Sequence, residues 1–325
     1  MLHLKYRVTR LLSHLLDNPV PDKSERLAPL VDELKHRFES LPSFRDSGES
    51  TSQAAWERNM NRLRDHVLHK DPMTFLRWDV IINTMFVTFS PYIGIELSEL
   101  KKLSDWDSRW RSAIKESPVG HPLVYPFHRE SSANLIHHAY HISRFERAFG
   151  EKVHDLGFVL EFGGGYGSVC RLLHNLGFDG KYIIFDLPHF SALQEFYLKA
   201  LSLPVRDVAD FGQTERGIFL VSSLETLKRL TSSLGFQKSL FIATWSISEA
   251  PIHLRQEILP IAERLGNILI AYQDRFEDVD NREYFRTWKS TTDSAYSWQE
   301  EPIEHLPGDN YLMGSSNNKT SNLVG

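Results

Sequence analysis

Between Glu161 and Gly167 the chain reads EFGGGYG, an acid followed by glycines at alternate positions, Glu161-x-Gly163-x-Gly165-x-Gly167, with Gly164 between the first two. Glycine lets a backbone come close to a nucleotide, because no Cβ intervenes and left-handed conformations are open to it. An apolar run from Phe158 leads into the motif, and the amphipathic stretch SVCRLLHNLG leaves it, so the glycines join a strand to a helix. A dinucleotide fingerprint begun at Gly163 wants a small third residue at position 168, where Ser168 stands. An acid two residues ahead of the first glycine better fits a cofactor without a pyrophosphate, one whose amino-acid portion lies over the loop.

The next apolar run, Lys181 to Asp186, ends in a second acid, 19 residues beyond Gly167. A carboxylate at the carboxyl end of the second strand can accept both hydroxyls of a ribose. The plain alternative is an α/β unit of flavodoxin type whose glycines only make the turn.

These residues, with IIFDLP at Ile183 to Pro188 and ATWSISEAP at Ala243 to Pro251, resemble the class I S-adenosylmethionine-dependent methyltransferases, and more narrowly the sugar O-methyltransferase family. The resemblance covers roughly residues 125 to 316, and the glycine motif is its most specific part. It implies S-adenosyl-L-methionine as cofactor, a Rossmann-like sheet of parallel strands closed by an antiparallel C-terminal pair, and a saccharide or other small-molecule acceptor. Glu161, Gly163, Gly164, Gly165 and Gly167 would then carry the methionyl and ribose portions, with Asp186 on the ribose hydroxyls and Leu187 against the adenine. Ser222 and Ser223 would line the adenine edge, for which Asp210-Phe211 is the alternative, and Trp245 would touch cofactor and acceptor alike.

Transfer from a sulfonium to a hydroxyl is an in-line displacement, so alignment is most of the enzyme's task. A positioned base adds about 10²–10⁴-fold by taking the hydroxyl proton. Glu249 and Asp274 follow the fourth and fifth strands, and His141 and His253 are further bases; His189, after the second strand, is a weaker one. Glu249 could equally cap the helix that begins near Pro251. Gln273 cannot take a proton and could only orient an acceptor. Asn281 and Tyr284, in a segment that also holds Trp288 and Trp298, supply the planar and aromatic groups that suit a sugar.

The remainder of the composition narrows the class. The 325 residues are 41% hydrophobic and 24% charged, as in ordinary soluble domains, and the formal net charge of −5 gives no basic field for nucleic acid. One cysteine, Cys170, excludes an internal disulfide and reads as a small core hydrophobe. His3, Lys5, Arg7, Arg10 and His14 interrupt the leucines of the first 16 residues, so no secretory core forms, and the run Val80 to Phe89 is too short to span a bilayer. A cytoplasmic protein without a membrane segment is expected. His137 and His141 share a helical face at metal-pair spacing, but no acid completes an HExxH-like motif, and no metal is assigned.

The supporting elements fall into three regions. Residues 1–150 read as all-helical: Leu4 to Leu16, Leu27 to Phe38, Ala54 to Leu68, Phe75 to Phe89, a stretch around Trp106 and Trp110, and, after the connector HPLVYPF, Ser132 to Phe149. This region is available as a lid, an acceptor platform or a homodimer interface. Residues 151–316 alternate strand and helix, with strands at Phe158–Phe162, Lys181–Asp186, Gly217–Ser222, Leu240–Trp245 and Asn267–Gln273. A capping box at Ser191 and Gln194 predicts a helix from Ala192, and Pro260 predicts a kink or a break in the helix from Ile252. Strands at Ala295–Gln299 and Tyr311–Ser315 close the domain, and residues 317–325 form a polar tail. Two rival readings remain. A nicotinamide-dependent oxidoreductase is opposed by Ser168 and by the lack of a Tyr-x-x-x-Lys pair, since Leu201 follows Tyr197. A non-catalytic cofactor-binding scaffold would bind without turning over.

Overall fold

The computed structural model describes residues 26–44, 51–88, 90–232 and 236–317. The helix expected at Leu4 to Leu16 and all of the tail beyond residue 317 lie outside the described residues.

In chain order the elements are α1 (Ala28–Ser40), α2 (Thr51–His69), α3 (Asp79–Thr84), α4 (Pro91–Lys101), β1 (Val124–Tyr125), β2 (His128–Ser132) and α5 (Ala133–Phe149). Then follow β3 (Phe158–Phe162), α6 (Ser168–Asn175), β4 (Lys181–Phe185), α7 (Pro188–Ala200), β5 (Val205–Arg206), β6 (Gly217–Val221) and α8 (Leu224–Thr231). The chain ends through β7 (Phe236–Thr244), α9 (Ser246–Glu249), α10 (Ile252–Ala262), β8 (Leu265–Gln273), β9 (Arg275–Phe276), β10 (Val279–Asp280), α11 (Asn281–Thr292), β11 (Tyr296–Pro302) and β12 (Asp309–Ser316).

The chain divides into two compact units. One holds the described residues up to His141 with Gly165–Asn175 and Pro188–Pro204; the other holds Ile142–Gly164, Leu176–Leu187 and the described residues from Val205.

The second unit carries an eight-stranded sheet in the order β11-β12-β8-β7-β3-β4-β6-β5. Strands β5, β6, β4, β3, β7 and β8 are parallel, while β12 runs antiparallel to β8, and β11 antiparallel to β12. This is the expected Rossmann-like sheet, with β5 as a parallel edge strand beyond the five expected. The register explains the sequence pattern. Phe158, Leu160 and Phe162 of β3, Ile183 and Phe185 of β4, Phe241 of β7 and Ile268 and Ile270 of β8 join one buried cluster, completed by Leu227, Ile258, Leu259 and Phe285 from the helices. All five residues of β3 are buried, which is why that strand reads as a continuous apolar run rather than an alternating one.

The first unit is mainly helical, but the proline-punctuated stretch after His121 holds the β1–β2 hairpin, so the region is not helical throughout. The helix expected from Phe75 to Phe89 is two pieces, a 3₁₀ turn over Pro72–Arg77 and then α3. The Asp71 side chain caps the turn at Met73 N, and extended backbone at Trp78 separates the pieces. Within this unit α1 lies along α7, with Lys199 Nζ 3.0 Å from Glu33 and Arg37 paired to Glu195.

Two local expectations are corrected. Helix α7 starts at Pro188, whose fixed φ suits the first turn, so Ser191 sits inside the helix and does not cap it. Pro260 lies within α10 near its end without stopping it, and the chain from Leu265 is already strand.

Candidate functional site

The strand order reverses at β3: the chain moves from β3 to β4 on one side and later places β7 on the other. In open α/β sheets such a switch point leaves a crevice beyond the carboxyl ends of the strands, where ligands bind. Here the turns leaving β3 and β7 touch. Gly163, at φ +71°, has its N–H bonded to Phe185 O at 2.9 Å, and a Cβ on it would lie 2.4 Å from Ser246 Cβ. Ser246 in turn donates its hydroxyl to Phe162 O. Gly164 is equally constrained, since a Cβ would meet Ile184 Cγ2 at 2.6 Å and the Glu161 carboxylate at 3.2 Å. Gly163 is thus fixed by packing where two loops meet and Gly164 by side chains of the strands beneath it, and Gly163, Gly165 and Gly167 all take positive φ.

Beneath this turn Glu161 is 3% exposed, and its Oε2 accepts from the Tyr182 hydroxyl at 2.8 Å. Burial pushes its carboxyl up to about 8; the Tyr182 bond opposes the rise and the charge of Asp186 adds to it. Within the first unit the loop continues as Gly165, whose carbonyl accepts from Gln194 Nε2 at 2.9 Å, and Tyr166, which bonds Asn134 at 2.9 Å. Gln194, read as half of a capping box, holds the glycine loop instead.

Asp186 stands directly after β4, its N–H on Val221 O and its Oδ1 accepting from Leu187 N at 2.8 Å. Leu187 is 43% exposed, one of three large hydrophobic side chains left in the open among the described residues. An acid on a strand end offers a hydrogen-bond acceptor for ribose hydroxyls, and the exposed apolar side chain after it offers a face for a base, so the residues present fit a nucleoside cofactor. Ser222 and Ser223 follow β6 and are exposed; Ser223 also caps α8 at Thr226 N. Phe211, the alternative adenine contact, is buried against Phe219.

The ends of β7 and β8 carry a second polar group. Trp245 holds φ +63°, a conformation costly for a non-glycine residue, and is pinned by its N–H on Ala271 O and its indole Nε1 on Asp309 Oδ1 at 2.8 Å. Helix α9 then brings Glu249 back against β8, where Gln273 Nε2 lies 3.4 Å from its Oε1. Burial pushes the Glu249 carboxyl up to about 7, with the Gln273 bond opposing. Ser248 Oγ lies 2.7 Å from Gln273 Oε1 and 2.7 Å from Trp245 O. Asn281 is fully buried, with Nδ2 on Gln273 O at 3.0 Å and Oδ1 on Arg255 at 2.7 Å. Arg255, 1% exposed, also grips the carbonyls of Ser248 and Ala250 and lies over the half-buried Tyr284 ring at 5.0 Å.

The structure therefore gathers Glu249, Gln273, Trp245, Asn281 and Tyr284 into one neighbourhood. Asp274 is engaged elsewhere, by Asn310 Nδ2 at 2.7 Å and Arg282 at 3.5 Å, and its backbone takes part in the turn from β8 to α11. His253 is exposed on α10. His141 belongs to the other unit, 1% exposed, its ring 4.1 Å from that of His137, which pairs with the buried Glu96 at 2.8 Å. His138 meets Ser168 Oγ at 3.0 Å, and burial holds it down at about 3. Among the described residues no group of three metal-ligating side chains could hold an ion, and no helix is long and apolar enough to cross a membrane.

Arg255, Ser248 and Ser246 were not singled out by the sequence. A signal existed for the first: Ile252, Arg255, Leu259 and Ala262 share helical spacing, and a charged residue on an apolar stripe is costly unless it has a task.

No family model and no curated protein matches the chain. Among solved structures, an rRNA methylase from Streptococcus thermophilus aligns at 15% identity and TM-score 0.36, over 50% of this chain and 87% of that one. A precorrin-6y C5,15-methyltransferase from Geobacter metallireducens gives 14% and 0.34, over 55% and 86%. A fibrillarin pre-rRNA processing protein from Methanococcus jannaschii gives 11% and 0.36, over 51% and 69%. At such scores these are likenesses that carry no inference about activity, and the fold assignment rests on the strand order itself.

Proposed function

We propose that this chain is an S-adenosylmethionine-dependent methyltransferase that acts on a hydroxyl of a sugar or sugar-bearing metabolite. The observation that carries the reading is the junction of Gly163, Ser246 and Asp186: a glycine turn at the switch point with a carboxylate and the exposed Leu187 at the adjoining strand end. Asp186 would hold the ribose hydroxyls, Leu187 the adenine, and the glycine turn the amino-acid portion, with Glu161 beneath it. When bound, the cofactor supplies an electrophilic methyl on a sulfonium, whose sulfur keeps the bonding pair as the methyl leaves.

Glu249 is the group assigned to the acceptor's proton. Its burial places the carboxyl near neutrality, where a base can both take and return a proton. The Glu249 carboxylate would take the proton of an acceptor hydroxyl as that O–H bond breaks, leaving a neutral carboxylic acid and an oxygen free to accept the methyl. Trp245, half-buried at the end of β7, offers an aromatic group near it that would suit the C–H face of a sugar ring.

The test is transfer of a labelled methyl from S-adenosylmethionine to a panel of saccharides and sugar nucleotides, with the linkage of each product determined. Alkali-stable O-methyl products that vanish in Glu249→Gln are expected. Binding of the cofactor with no transfer to any hydroxyl-bearing acceptor would favour a scaffold.

A further inference from the structure

Resting on Glu249 as the group that receives the acceptor's proton, we propose that Gln273 is its positioning residue, with a side-chain amide that turns over as Glu249 gains or loses that proton. The geometry at Ser248 leads to this. A hydroxyl has one proton to give, yet Ser248 Oγ faces two carbonyl oxygens at 2.7 Å, Trp245 O and Gln273 Oε1. With Glu249 ionised, Ser248 donates to Gln273 Oε1, and Gln273 Nε2 donates to the Glu249 carboxylate. Trp245 O is not left bare in that arrangement, because it also accepts from the N–H groups of Ser248 and Glu249 at 3.0 and 3.1 Å.

With Glu249 protonated the same atoms pair in the opposite sense. The carboxylic O–H donates to Gln273 Oε1, Gln273 Nε2 donates to Ser248 Oγ, and Ser248 donates to Trp245 O. Each hydrogen bond named has both a donor and an acceptor in either state, so the amide rotation lets the half-buried carboxyl be ionised or neutral while its contact with Gln273 is kept. The frame around the amide does not need to move. Asn281 grips the Gln273 main-chain carbonyl, not its side chain, and is held by Arg255.

The charged groups nearby are accounted for. Arg255 of α10 binds the carbonyls on either side of Glu249 and is covered by Tyr284 of α11; Asp274 at the end of β8 is engaged by Asn310 and Arg282.

The experiment is nuclear magnetic resonance of the full chain, labelled with ¹³C at the Glu carboxyl carbon and ¹⁵N at the Gln amide, across a pH titration without cofactor. Glu249→Gln assigns the carboxyl, and Gln273→Met assigns the amide. The proposal predicts that the Gln273 amide resonances move with the same midpoint as the Glu249 carboxyl. It also predicts that Gln273→Met raises that midpoint by roughly half to one pH unit, because a hydrogen bond to a carboxylate is stronger than one to the neutral acid. Amide resonances that stay fixed through the Glu249 transition would overturn it, as would a Glu249 midpoint in the ordinary carboxylate range. Because the titration uses no cofactor, these outcomes are independent of whether S-adenosylmethionine binds, and the wild-type transition is read apart from the shift in Gln273→Met.

Discussion

Gly164 lies so closely over Glu161 and Ile184 that a methyl group on its Cα would stand 3.2 Å from the one side chain and 2.6 Å from the other. Ile184 is a β-branched residue in the middle of the sheet and cannot swing aside. Gly164→Ala is therefore expected to destabilise the fold by about 1–3 kcal/mol. Thermal unfolding measures it, with Gly212→Ala as the control, since a Cβ there meets nothing within 4 Å. Equal melting temperatures for the two variants would show that the turn is slacker than described.

Asp186 sits at a strand end with its carboxylate partly exposed. Asp186→Ala removes charge-assisted hydrogen bonds to a ribose that are together worth about 1.5–3 kcal/mol, hence about 10–100-fold in cofactor affinity. The melting temperature of the unliganded protein should scarcely change. Titration with S-adenosylhomocysteine checks the affinity; an unaltered dissociation constant would remove Asp186 from the site.

Stability should fall between pH 6.5 and 8. Glu161 and Glu249 titrate at about 8 and about 7 when folded against 4.5 as free groups, so the native state keeps protons that the unfolded chain has released. Their contribution is complete below 4.5 and is lost as pH rises through those values. His138 and His189, held down at about 3 and about 4 by burial, act in the opposite sense and stop contributing to the slope above 6.5. Glu161→Gln should flatten the decline measured by denaturant unfolding across that window.

The sheet was legible because its strands are apolar runs that end in turn chemistry. Phe158–Phe162 is read to the residue, and the helix from Ser132 to Phe149 to within one. Strand β5 was not legible, because two residues in a polar connector have no periodicity. Helix α7 was misjudged at its start because Pro188 and Ser191 are both good helix-start signals, and only the chain's need to turn directly after Asp186 decides between them. The glycine turn and Asp186 could be found from spacing alone. The support under Glu249 could not: Ser248, Gln273, Asn281 and Arg255 come from four separate elements, and only the fold brings them within hydrogen-bond distance.

Trp245 holds a backbone conformation that glycine adopts freely. Trp245→Gly relieves about 1 kcal/mol of strain and loses one indole hydrogen bond of similar size, and with the half-buried ring gone as well the melting temperature should fall. Turnover should fall sharply, because the aromatic face beside Glu249 is gone. Turnover per folded molecule that stays unchanged would assign Trp245 to packing alone.

In the function proposed above, the turn after β3 and the carboxylate after β4 hold S-adenosylmethionine. Calorimetric titration of the full chain with S-adenosylhomocysteine and, separately, with NADH tests it most directly. Micromolar binding of S-adenosylhomocysteine and none of NADH is predicted; binding of NADH alone would contradict the claim and leave the glycine loop as a dinucleotide site.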